Sequence, residues 1–204
     1  MANITNVNYE AMPRQAKQMR EYAKELNQEL KLAYSQVGEM HNSWYGTRYN
    51  ELVKDFNDMI PELNKLLALV VTDIPYALEK IANNYAQADK GQNVTSAEEV
   101  APDKIANLAI KNDVGMKFLT NEVSSVQKKV SDCFQKSKDL MNKVEAEFGK
   151  VEWKSEASET FKSTLTKLKT SIISSFDNIN TQFTKLMNQT QQDIENAEKS
   201  NTVQ

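Results

Sequence analysis

The chain has 204 residues, enough for one large domain or two small ones, and its net charge at pH 7 is −3. Lys and Arg alternate with Asp and Glu instead of clustering, so no basic surface for nucleic acid is expected. Only five Gly and four Pro occur, too few for the turns of a β protein. The composition therefore predicts an all-α protein built from long helices.

Targeting and redox features are sparse. Residues 1–6 contain neither a basic nor an apolar signal segment, which predicts that no cleavable signal peptide is present. The most apolar run, residues 66–71, is far shorter than the roughly 18 residues of a membrane span. Cys133 is the one cysteine; it is expected to be a small buried apolar residue, with a reactive thiol as the alternative.

The first predicted helix carries apolar residues at alternating steps of four and three. This strict seven-residue repeat indicates a seam packed as in a coiled coil. Pro13 fits the first turn, where its missing N–H costs nothing. The stripe consists of Met12, Ala16, Met19, Ala23, Leu26, Leu30, Ala33, Val37 and Met40.

The second helix is predicted from about Thr47 to Lys90. Pro61 and Pro75 are expected to kink it, and whether Pro75 breaks it stays open. A four-residue step to Ile74 interrupts the repeat, as a stutter does. The predicted stripe is Tyr49, Leu52, Phe56, Met59, Leu63, Leu66, Val70, Ile74, Ala77, Ile81, Tyr85 and Ala88.

Residues 91–103 lack any apolar period and predict a linker. Residues 104–110 could form a short helix before Asn112 and Asp113 cap the next long one. That third helix should end at Gly149, and its predicted stripe is Leu119, Val123, Val126, Val130, Cys133, Ser137, Leu140 and Val144.

The fourth helix is predicted from about Ser155 to Lys199. Its stripe is rich in Phe and Leu, which complements the smaller residues of the third helix. The predicted positions are Phe161, Leu165, Leu168, Ile172, Phe176, Ile179, Phe183, Leu186, Ile194 and Ala197.

Each half of the chain has a Trp in the turn between its long helices, Trp44 or Trp153, so the chain is predicted to hold two copies of one hairpin. One hairpin alone would leave its apolar seam exposed, whereas two form a closed four-helix bundle. The long linker favours antiparallel packing of the hairpins. The predicted division is residues 1–90, linker 91–112, and residues 113–204.

The turn Trp44-Tyr45-Gly46 between long amphipathic helices, in a unit of about a hundred residues, resembles the WXG family. These proteins are small helical hairpins, ESAT-like, exported by bacterial type VII (ESX) secretion. The resemblance implies a protein made in the bacterial cytoplasm and exported without a cleaved signal. It also implies interaction with the secretion ATPase and, in an alternative, with a co-secreted helical partner.

Tyr85 and Asp89 resemble the Tyr-x-x-x-Asp/Glu export signal of that family, which the resemblance implies for the end of the second helix. An ordinary pair on a helix end is the other interpretation. The second half departs from the family pattern, because Ser155 replaces Gly and Ile194 stands where the Tyr would be. For Trp44 and Trp153 a role as end caps of the core competes with a role in recognition.

No cofactor, metal or catalytic arrangement is predicted, since His41 and Cys133 lie in different halves and His41 is expected to be exposed. Three functions remain open. The chain is a secreted type VII substrate with two fused hairpins, a targeting or chaperone-like partner of a larger toxin, or an intracellular coiled-coil scaffold.

Overall fold

The computed structural model describes residues 7–201; the expectation for residues 1–6 lies outside this range. Four long helical segments make up most of it, and the predicted all-α bundle is confirmed. In chain order the elements are helix α1 (Met12–Glu39), a 3-10 turn (Met40–Asn42), strand β1 (Trp44–Tyr45), helix α2 (Thr47–Ala68), a π-helical turn (Leu69–Asp73), helix α3 (Ile74–Lys90), strand β2 (Lys117–Phe118), helix α4 (Thr120–Gly149) and helix α5 (Glu156–Asn201).

The apolar stripes of α1 and α2 form the core of the first hairpin. Every predicted stripe position from Met12 to Met40 is buried, and so is every position from Tyr49 to Val70. A second row of α2 is buried as well, because this helix contacts both α1 and the second hairpin. That second row comprises Val53, Ile60 and Leu67.

The second long helix is continuous through Pro61 and through the π-helical turn that precedes Pro75. Pro75 has no N–H, so it cannot donate to the carbonyl of Val71 four residues earlier. The guanidinium of Arg20 supplies that donor instead, with Nε 3.1 Å from the Val71 oxygen. Helix α1 thus donates to a carbonyl group that Pro75 cannot serve.

After Ile74 the predicted stripe lies beside the core instead of in it: Ala77, Ile81 and Tyr85 are half-buried and Ala88 is exposed. The buried residues of α3 follow a spacing of four, with Ile74, Leu78, Ala82 and Ala86 in the core. This spacing is the i, i+4 ridge of an α-helix, in place of the alternating seam of a coiled coil. Tyr85 consequently lies beside the core and is half-buried.

The second hairpin follows its predicted stripes over most of their length. In α4 all positions from Val123 to Val144 are buried or half-buried, while Leu119 before the helix is exposed. In α5 the stripe is buried or half-buried from Phe161 to Leu186, but Ala197 is exposed. Beyond Thr190 the helix extends past the start of α4 and has little left to pack against.

The two hairpins pack antiparallel to each other, as the long linker predicts. At one end the Leu119 amide donates to the Ser43 carbonyl oxygen at 2.9 Å, which places the start of α4 beside the end of α1. At the other end the Gln15 side-chain amide donates to the Lys150 carbonyl oxygen at 3.1 Å. The Trp153 turn therefore lies at the same end of the bundle as the start of α1.

The connection between the hairpins is extended, and the short helix predicted at residues 104–110 is not formed. Side chains of the first hairpin hydrogen-bond to the main chain of this connection at several positions; Asn64, for example, donates to the Ile105 carbonyl and accepts from the Ile105 amide. The predicted cap at Asn112 and Asp113 is also wrong. Residues 117 and 118 pair with the Trp44 turn as strand β2, and α4 begins only at Thr120.

Candidate functional sites at the two ends of the bundle

Trp44 closes one end of a core that both hairpins share. Its side chain is only 1% exposed. In the β1–β2 pair it lies opposite Phe118, with ring centroids 5.5 Å apart. It also stacks on Phe183 of α5 at 6.0 Å. Trp44 is therefore an end cap of the core, and its indole is not available on the surface.

Gly46 has a backbone conformation that only glycine adopts readily, with φ 121° and ψ −172°. A Cβ atom there would make only ordinary van der Waals contacts, 3.6 Å from the Gly115 carbonyl oxygen and from Met116 Cβ, so the backbone conformation alone restricts this position. The conformation turns the chain from β1 directly into α2. The glycine of the Trp-x-Gly triplet is thus required by the backbone of the turn.

The side chain of His41 was predicted to be exposed, and this prediction is wrong. His41 is half-buried, with Nε2 2.7 Å from Asp113 Oδ2 and its ring 5.4 Å from that of Tyr49. Asp113 belongs to the extended connection between the two hairpins, and its position beside His41 was not predicted. The Tyr49 hydroxyl donates to the Val37 carbonyl oxygen, and burial, followed by the charge of Asp113, raises the pKa of Tyr49 to about 12.

The Trp153 turn is built differently from the Trp44 turn. Trp153 is half-buried against the core instead of enclosed by it. Ser155 and Ser158 form a reciprocal capping box: the Ser158 amide donates to Ser155 Oγ at 3.1 Å, and the Ser155 amide donates to Ser158 Oγ at 3.2 Å. Ser155 does not have a positive φ, so this position does not require glycine, and the serine side chain caps α5.

The end of α3 presents Tyr85 and Asp89 at the surface, half-buried and exposed respectively. The Tyr9 hydroxyl donates to the Asp89 carboxylate, and this bond raises the pKa of Tyr9. Next to it, Lys90 pairs with Glu10. Gly91 then ends the helix with a left-handed conformation (φ 71°).

This clamp between residues 9–10 and 89–90 was not predicted. Its members are 80 residues apart in the chain, and no periodic pattern links them. Because it fixes the segment before α1 to the end of α3, Asp89 has a structural partner in addition to any role as a signal. Tyr85 and the Trp153 turn lie at this same end of the bundle.

Three further observations concern metal binding, thiol reactivity and membrane spans in residues 7–201. No group of His, Cys, Asp or Glu side chains there is arranged to hold a metal ion. Cys133 is buried as expected; burial, followed by the nearby Glu29 carboxylate, raises its pKa to about 11. Among the helices described, none is long and apolar enough to cross a membrane.

Comparison with known proteins supports the WXG family for the first hairpin. Residues 4–90 match the family model WXG100, described as proteins of 100 residues with WXG. The match ends at the last residue of α3 and includes both the Trp44 turn and the Tyr85–Asp89 segment. No curated protein matches the chain significantly, and no solved structure does.

Proposed function

We propose that this chain is a secreted substrate of a bacterial type VII (ESX) system that acts through protein–protein contacts. The observation that carries the proposal is the WXG100 match over residues 4–90, which spans the Trp44 turn and Tyr85–Asp89. In support, Asp89 is exposed and Tyr85 half-exposed on the last turns of α3. The protein is made in the bacterial cytoplasm and exported by that system.

The second hairpin is a diverged WXG-like copy that takes the place of a separate partner chain. Aromatic contacts between the halves support this pseudo-dimer. Phe56 of the first hairpin stacks on Phe134 of the second at 5.8 Å, and Trp44 stacks on Phe183 at 6.0 Å. These rings are fully buried, so the two hairpins share one core. The chain is accordingly a monomer.

The secretion ATPase is the expected partner. Tyr85 and Asp89 form the export motif, and the Trp153 turn at the same end of the bundle contributes to the surface that the machinery contacts. Trp44, buried at the opposite end, acts by holding the hairpins together. Ser155 caps the helix that follows Trp153, and no separate export signal is assigned to the second half.

The test is the amount of protein in culture supernatant, measured with and without the secretion ATPase. Tyr85→Ala and Asp89→Ala should keep native helicity and remain in the cells. Tyr76→Ala and Asp73→Ala are matched controls, because these residues have similar exposure on the preceding turns of the same helical segment. Export of the Tyr85 and Asp89 variants at the level of the controls would refute the motif.

The Tyr9–Asp89 bond requires a separate control. Tyr9→Phe removes the hydroxyl that donates to Asp89 and leaves the carboxylate in place. If Asp89 is read directly by the machinery, Tyr9→Phe is exported normally. If Tyr9→Phe is retained as strongly as Asp89→Ala, the aspartate acts only through the clamp.

The pseudo-dimer is tested separately by sedimentation. The whole chain should sediment as a monomer at micromolar concentration, since the second hairpin covers the apolar face of the first. Residues 1–90 alone should associate through that uncovered face. A stable dimer of the whole chain would contradict the proposal.

A further inference from the structure

The connection between the hairpins is bound in a groove of the first hairpin along almost its full length. The segment of residues 94–111, here termed the strap, runs antiparallel to α2 and α3 and contacts them in a regular order. The residue numbers of its hydrogen-bonded partners in α2 and α3 fall as the residue numbers of the strap rise, from Asn83 at Thr95 to Asn50 at Lys111. A flexible linker would not make such an ordered series of contacts with a helix.

Three asparagines of α2 hold the strap through its main chain. Asn50, Asn57 and Asn64 are spaced by seven residues and therefore lie on one face of the helix. Each side-chain amide donates to the carbonyl and accepts from the amide of a single strap residue. The donated and accepted distances are 2.7 and 3.2 Å at Lys111, 2.9 and 2.8 Å at Leu108, and 3.0 and 2.8 Å at Ile105.

The spacing of the asparagines along α2 matches the spacing of the strap residues that they bind. Seven residues of an α-helix advance about 10.5 Å, whereas three residues of an extended chain with the polyproline II rise advance about 9.3 Å. One asparagine therefore meets every third strap residue. Exposure has the same period: Ile105 is buried, Pro102 and Leu108 are half-buried, and the residues between them are exposed.

The same principle continues along α3. The Asn83 side chain donates to the Thr95 carbonyl at 3.0 Å and accepts from the Thr95 amide at 3.1 Å. Glu79 accepts from the Glu98 amide, and Arg20, which is paired with Glu79, donates to the Glu98 carbonyl at 2.9 Å. Side chains that recognise the main chain are thus present over most of the groove.

We propose that this groove is a binding site for an extended polypeptide and that the strap occupies it as a built-in ligand. The site binds the backbone at Ile105, Leu108 and Lys111, three residues apart, and packs the apolar side chains of Ile105 and Leu108 against the core. Its ligand class is an extended peptide with apolar side chains three residues apart. The site lies along the side of the first hairpin and is independent of the export motif.

The first experiment exposes the groove. Residues 94–111 are replaced in the whole chain by a Gly/Ser segment of equal length, and binding of a fluorescent peptide of residues 93–112 is followed by anisotropy. The peptide should bind the replaced chain. It should not bind the unaltered chain, where the tethered strap has a high effective concentration.

Isosteric variants test whether the asparagine side chains recognise the backbone of the peptide. Asn57→Asp in the replaced chain removes the donor to the Leu108 carbonyl and should weaken binding about tenfold or more. Asn188→Asp, at an exposed position of α5, should leave it unchanged. Equal binding by both variants, or by the replaced and unaltered chains, would overturn the proposal. So would no binding to a replaced chain with native helicity.

Hydrogen exchange on the unaltered chain gives a readout that does not depend on folding of the replaced chain. The amides of Ile105, Leu108 and Lys111 should exchange slowly, and those of residues 106, 107, 109 and 110 quickly. Asn57→Leu, which removes the oxygen that accepts from the Leu108 amide, should speed exchange at Leu108 about tenfold. Uniformly fast exchange along residues 94–111 would show that the groove does not bind the strap.

Discussion

Phe134 of α4 and Phe176 of α5 stack almost face to face, with ring centroids 4.1 Å apart and planes 8° from parallel. Phe56 of α2 stacks on Phe134 at 5.8 Å and so extends the group into the first hairpin. All three rings are at most 1% exposed. The centre of the bundle is therefore an aromatic stack that spans both hairpins.

Phe176→Ala is expected to lower the free energy of unfolding by about 3–5 kcal/mol, since it removes a fully buried ring and leaves a cavity. Chemical denaturation followed by circular dichroism measures the loss. Phe161→Ala, at a half-buried position of the same helix, should cost clearly less. Equal losses would mean that the stack is not the centre of the core.

Gly46→Ala should destabilise the protein by about 1–3 kcal/mol, because alanine is strained at φ 121°. Gly149→Ala is the matched control. Gly149 lies in α4, and a Cβ there meets no atom within 4 Å, so that variant should be neutral or stabilised by up to about 1 kcal/mol. Thermal unfolding of both variants tests the difference, which vanishes if the Trp44 turn can relax around a side chain.

Ser155→Ala should cost about 1 kcal/mol through loss of the capping box at the start of α5. Ser155→Gly, which restores a Trp-x-Gly triplet, should cost only a few tenths of that amount and should bring no gain. Ser163→Ala, at an exposed position of α5, serves as the reference. A clear stabilisation by glycine at position 155 would mean that the two Trp turns share one backbone conformation after all.

Cys133 should be nearly inert to thiol reagents in the folded protein. Its pKa, raised to about 11 by burial and by Glu29, leaves about one thiolate in a thousand at pH 8. Labelling should accelerate by more than about a hundredfold in denaturant. In a Cys133→Ala background, Gln135→Cys at an exposed position should label rapidly without denaturant. Fast labelling of native Cys133 would indicate frequent opening of the bundle.

The long helices and most of their buried faces were predictable from the sequence, because seven-residue apolar spacing over thirty or more residues specifies both the helix and its packed side. The prediction failed where tertiary contacts decide the outcome. In α3 the buried spacing becomes four, so Tyr85 is beside the core instead of in it. In the linker, composition indicates only the absence of a packed helix.

The asparagines that bind the strap could be predicted from the sequence, whereas the long-range residue pairings at the ends of the bundle could not. The seven-residue spacing of Asn50, Asn57 and Asn64 is a readable signal, although polar residues on a helix are ordinarily assigned to solvent. By contrast, the pairing of Tyr9 with Asp89 and of Trp44 with Phe118 joins distant segments. Neither pairing has a local pattern, because both depend on the tertiary arrangement of segments far apart in the chain.

The π-helical turn at Leu69–Asp73 has a consequence for changes in chain length. Such a turn accommodates one residue more than an α-helical turn while the flanking helices keep their orientation. Elsewhere in α2 or α3, a one-residue deletion rotates everything that follows by about 100° and moves buried residues to the surface. Deletion of Thr72 is instead expected to convert the turn to regular α-helix, so this helical segment tolerates a shortening here that it tolerates nowhere else.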